Sequence, residues 1–77
     1  MSRAYFVGLD MGGTNIRCGA VAPSGRVLLM RRAPALASAG APEIVANICA
    51  NLRAVERRAR RRGWGPARGI GVAVPGP

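Results

Sequence analysis

The 77-residue chain has no histidine and no lysine, and its only cysteines are Cys18 and Cys49. Without histidine and without a C-x-x-C pair, a metal site built from this chain alone is not expected, because such sites draw on clusters of those ligands. No disulfide framework is evident. Both thiols read as buried, reduced side chains of a reducing compartment. Aromatic residues are scarce, with one each of Phe, Tyr and Trp, so stacking platforms for nucleic acid are almost absent. Long apolar runs are missing too. The N-terminal run is broken at Gly8 and Asp10, short of the about 7–15 apolar residues of a secretory signal and the roughly 18 of a membrane span. A cytoplasmic protein with no membrane partner is the expectation. Acids are few: Asp10, Glu43 and Glu56 stand against 12 basic residues, all arginine, for a net charge of +9. Arginine without lysine, in a chain rich in Ala and Gly, reads as GC-rich coding rather than selection for a ligand. The length allows at most one small domain, and a domain this short hides only about 60% of its unfolded surface.

Hydrophobic patterning predicts a compact order of elements. Ala4 to Asp10 reads as a first strand, apolar on both faces, as a central strand covered on both sides should be. Met11 to Thr14 is a turn. Asn15 to Ala22 reads as a second strand, with Ile16, Cys18 and Ala20 on one face and Arg17, Gly19 and Val21 on the other. Pro23-Ser24-Gly25 is a turn signal, and Arg26 to Arg32 reads as a third strand, completing an antiparallel meander. Pro34 is expected to bar regular structure in a small-residue loop. A helix begins near Pro42 with Glu43 in its first turn. Ile44, Ile48, Leu52, Val55 and Ala59 share one face, widened by Val45 and Cys49, while Asn47, Asn51, Arg53, Arg57 and Arg61 fall elsewhere. Arg62 and Gly63 end it. Arg68 to Val74 reads as a fourth strand, which a helical crossover would set parallel to a neighbour.

The segment Leu9-Asp10-Met11-Gly12-Gly13-Thr14-Asn15 carries the chemistry. A strand ends in a carboxylate, and a Gly-Gly-Thr turn leads at once into a second strand. Glycines let main chain approach a ligand without a Cβ in the way, and successive N–H groups in such a turn make an anion-binding concavity. Thr14 adds a hydroxyl. Asp10 can hold magnesium through water, since that ion sheds its hydration reluctantly.

This segment resembles the first phosphate loop of the sugar-kinase, actin and heat-shock-chaperone ATPase superfamily. Within it the chain is similar to the N-terminus of the ROK family of sugar kinases and sugar-responsive repressors, on Leu9 to Arg17 and on Gly69-Ile70-Gly71-Val72-Ala73-Val74-Pro75-Gly76-Pro77. The resemblance implies an α/β, ribonuclease H-like half-domain spanning residues 1–77: a three-stranded antiparallel meander, one crossover helix and one parallel strand. It implies ATP and magnesium as cofactors, with Asp10 assisting the metal, Gly12, Gly13 and Thr14 lining the phosphates, Asn15 beside them, and Gly76 near the sugar. It also implies an Asn-Asp pair holding the catalytic base and a structural zinc site, neither of which this sequence contains. The expectation is therefore an N-terminal piece of an ATP-dependent hexose kinase of glucokinase or fructokinase type, inactive by itself and a homo-oligomer when full length.

Two alternatives compete. A ROK-type transcriptional repressor usually carries a winged helix-turn-helix ahead of the phosphate loop, for which the residues before Gly8 leave no room. A small nucleic-acid-binding protein would use the arginine run 57–62 for phosphate-backbone contacts. That run falls at an expected helix C-terminus, where cations suit the dipole and Glu56 can pair with Arg60. Trp64 reads as a packing residue at the helix–strand corner.

Overall fold

Alternating apolar and small residues build a hairpin from β1 (Phe6–Met11) and β2 (Asn15–Val21), paired antiparallel with Asp10 opposite Arg17 and Gly8 opposite Gly19. The computed structural model describes residues 3–74. A tight turn at Gly25, whose φ is 92°, returns the chain into β3 (Val27–Pro34) beside β2. Pro34 ends this strand rather than barring it, contrary to the expectation from sequence. It sits opposite Asn15 on an edge strand, a position that tolerates a missing N–H. The β2–β3 ladder shifts register between Ala20 and Val21: Ala20 faces Leu29 while Val21 faces Val27, leaving Leu28 as the extra residue of a bulge.

The helix α1 (Ala41–Arg61) starts at Gly40 with no side-chain cap, and has a proline in its first turn followed by Glu43. It ends in a Schellman motif. Gly63, at φ 78°, donates its N–H to the Arg60 carbonyl (2.9 Å), and the Trp64 N–H reaches Ala59 (3.1 Å). β4 (Ile70–Ala73) then pairs parallel with β1, so the sheet order is β3-β2-β1-β4. Over the described residues the protein is an α/β unit with one mixed four-stranded sheet and one crossover helix.

The core lies between α1 and one face of the sheet. Tyr5, Val7, Leu9 and Met11 from the first strand region meet Ile16, Cys18 and Ala20 of β2, Leu29 of β3, and Val55 and Ala59 of the helix. The expectation that β1 is covered on both faces is not met among the described residues: Phe6 is 41% exposed and Asp10 is exposed on the opposite face. Asn51, which the helical spacing sets off the apolar face, is nevertheless buried, at 5% exposure. Its amide donates to the Asn47 carbonyl (2.8 Å), and Asn47 in turn donates to Pro34 (2.9 Å), stitching α1 to the end of β3. Trp64 packs as expected, its ring 5.8 Å from that of Tyr5. Arg3 and Arg62 lie over it at 5.4 and 5.6 Å. The expected Glu56–Arg60 ion pair does not form among the described residues, where Arg17–Asp10 is the ion pair present.

Candidate functional site

The hairpin turn between β1 and β2 brings together five of the six expected site residues. Gly76, expected near a sugar, lies outside the described residues. Asp10 is the last open-face residue of β1, because its neighbours Leu9 and Met11 point into the core. That alternation turns the carboxylate out beside the turn. Across the ladder its partner Arg17 approaches it at 3.5 Å, with both side chains about three-fifths exposed, at 62% and 60%. The ion pair is therefore a solvated one, of small energetic weight, which leaves the carboxylate free to exchange its partner.

The turn itself is asymmetric in how it spends its donors. Gly12 gives its N–H to the Asn15 carbonyl (2.8 Å), closing the hairpin. A Cβ on Gly12 would stand 3.3 Å from that same carbonyl oxygen, so the fold itself accounts for glycine there. The Gly12 N–H is thus spent within the hairpin, although Gly12 still lines the cavity beside the turn. Gly13 differs. It has no positive φ, a Cβ added to it would meet nothing within 4 Å, and its N–H makes no hydrogen bond among the described residues. The Thr14 N–H is equally unspent, while the Thr14 carbonyl accepts from Ala35 (2.9 Å), tying the turn to the residue after β3. Asn15 donates its amide to the Thr14 hydroxyl oxygen (3.2 Å), which leaves the hydroxyl proton available to a ligand.

Beside the turn lies a shallow cavity of about 270 Å³ lined by Asp10, Gly12, Thr14, Asn15, Arg17 and Arg32, with Gly13 outside its lining. Arg32 was not anticipated as a site residue. It comes from β3, directly opposite Arg17. A larger groove of about 660 Å³ runs from Asp10 and Arg17 along the open face, over Gly8, Gly19 and Gly71. Its lining is mostly small and apolar, with few groups able to hold the hydroxyls of a sugar.

The donors suit an anion and the carboxylate suits a hard cation. Thr14, with its unspent N–H and hydroxyl proton, and two arginines line the cavity, while the unspent Gly13 N–H belongs to the same turn. A single carboxylate borders it, and magnesium, which keeps several waters and takes one or two carboxylates plus phosphate oxygens, matches that set. No group of three or more His, Cys, Asp or Glu residues that could hold a metal occurs among the described residues, so the protein alone makes no closed metal site there. The arginines at the end of α1 stand at the opposite pole, beside the start of β1, where Trp64 meets Tyr5 and the Arg68 N–H reaches the Tyr5 carbonyl (2.9 Å). No helix is long and apolar enough to cross a membrane among the described residues. The chain matches no protein-family model, and no match was found to a curated protein or to a solved structure.

Proposed function

We propose that the chain supplies the phosphate-cradling part of an ATP-dependent hexose kinase of ROK type, with a ribonuclease H-like lobe, and that Asp10, Gly13, Thr14 and Asn15 hold the polyphosphate of ATP with its magnesium. The observation that carries this reading is Gly13. Glycine in a turn is ordinarily explained by a left-handed φ or by a crowded Cβ, and neither applies here. What remains is close approach of a ligand to bare main chain, at a turn where two N–H groups and the Thr14 hydroxyl proton are unspent.

Bound magnesium would neutralise charge developing on the phosphoryl oxygens. The chain's own residues would fix the polyphosphate in place, which is the greater part of catalysis in phosphoryl transfer. Asp10 is the single aspartate of the chain and is committed to the turn. Removal of the sugar hydroxyl's proton therefore falls to a group outside these 77 residues, which are not expected to turn over ATP by themselves.

Titration of the chain with ATP, with and without magnesium, tests this directly. The amide resonances of Gly13 and Thr14 should move, and magnesium should increase the movement. Asp10→Asn should abolish the magnesium dependence while leaving the urea midpoint nearly unchanged, because its ion pair is solvated. Unmoved Gly13 and Thr14 amides at millimolar Mg·ATP would end the proposal.

A further inference from the structure

We propose that Arg32, on the third strand and outside the phosphate-turn motif, is a polyphosphate-binding residue, supplying anion affinity that does not depend on magnesium. The inference rests on the reading of the turn as a phosphate cradle and names a ligand group that the motif does not contain.

Three observations meet at this side chain. Arg32 lines the turn's cavity together with Gly12 and Thr14, although it is remote from them in sequence. It stands directly across from Arg17 on the open face of the sheet, and like charges directly opposite in an antiparallel pair are destabilising. It also makes no hydrogen bond or ion pair among the described residues, whereas Arg17 holds Asp10 at 3.5 Å. Asp10 is the only acid on this face, because Glu43 and Glu56 belong to α1 on the other side of the sheet. Counting Asp10, Arg17 and Arg32, the row carries an uncompensated positive charge, and it shares the cavity with Thr14, whose N–H is unspent.

A polyphosphate oxygen bridging that space relieves the repulsion and gives Arg32 its missing partner. A guanidinium fork matches a phosphate in shape as well as charge. Asp10 and Arg32 then divide the work. The carboxylate governs the response to magnesium, and the guanidinium governs affinity for the bare anion.

Tripolyphosphate without magnesium is the probe, titrated into the 77-residue chain and followed at the Gly13 and Thr14 amides. Arg32→Ala should weaken binding by about tenfold, in line with loss of one charge-assisted hydrogen bond. Arg32→Gln should weaken it similarly, and Arg32→Lys should restore part of it. Arg53→Ala, an exposed helix position away from the turn, should leave it unchanged. An unchanged urea midpoint in Arg32→Gln separates loss of binding from loss of fold. Equal affinity in wild type and Arg32→Ala overturns the assignment, and so does an equal loss in Arg53→Ala, which would mean that only the chain's overall charge matters. If tripolyphosphate and Mg·ATP both leave the wild-type amides unmoved, the cradle itself falls and Arg32's role with it. If they move the amides but Arg32→Ala binds normally, the cradle stands and only this inference fails.

Discussion

Single residues divide cleanly into those the fold requires and those it does not, and the glycines make the contrast measurable. Gly19 lies in β2, where an added Cβ would run into the Leu29 carbonyl of the neighbouring strand. Backbone cannot retreat as a side-chain tip can, so Gly19→Ala should lower stability by about 1–3 kcal/mol. Gly13→Ala meets open space and needs no unusual φ. Its unfolding free energy should hold level or rise by about 0.5 kcal/mol through reduced freedom of the unfolded chain. Its Mg·ATP response should nevertheless be lost, because the new methyl group occupies the ligand's approach. A Gly13→Ala protein that is destabilised as much as Gly19→Ala would make the turn a purely structural feature. Read from sequence, Gly12 and Gly13 look equivalent. In the structure, the Gly12 N–H bond to Asn15 and the closeness of that carbonyl to an added Cβ set Gly12 apart from Gly13.

At the scale of elements, the order of strands and helix was legible because each rests on a local signal: alternation in β1 and β2, the Pro-Ser-Gly turn, the apolar stripe of α1 and the glycine that ends it. Register was not legible. Extending the Val21–Val27 pairing without interruption would set Arg31 opposite Arg17. The bulge at Leu28 sets Arg32 there instead, and sends Arg31 to the helix side opposite Cys18. A bulge depends on packing across the strands, so nothing in the local sequence marks which arginine reaches the site. The same limit hid Asn51, whose burial depends on Asn47 being held by the carbonyl of Pro34. The connection between β3 and α1 contains a strained position that sequence does not announce. Leu36 adopts a φ of 56° while 48% exposed, so it bears the left-handed penalty with limited burial in return. Leu36→Asn should therefore raise stability by about 0.5–1 kcal/mol, since asparagine enters that region at lower cost. A fall in the urea midpoint would show that the exposed half of Leu36 misrepresents its packing.

For the molecule as a whole, the composition gives stability an unusual dependence on pH. Neither histidine nor lysine is present. The alkaline limb is then set by thiol and phenol. Cys18 lies buried between sheet and helix, and burial pushes its thiol up from its ordinary value, an effect that nearby Arg31 partly opposes. Tyr5 is raised first by burial and then by the Glu56 carboxylate, against an opposing pull from Arg60, while its hydroxyl donates to the Gly65 carbonyl at 2.6 Å. In both cases the folded protein binds the proton more tightly than the unfolded chain. The associated stability is complete below the ordinary values, near 9 for the thiol and near 10 for the phenol, and is lost as pH climbs past them. Urea midpoints under reducing conditions should stay level from neutrality toward pH 9, the ordinary thiol value, and then fall in two overlapping stages. Cys18→Ala should remove the earlier stage and Tyr5→Phe the later one, each at some cost to stability near neutrality because each gives up a buried contact. A midpoint that holds steady or rises into strongly alkaline solution would mean that the helix does not seal Cys18 and Tyr5 from water. The packing of α1 across the β1–β2 hairpin, which holds the turn in shape, would then need to be redrawn.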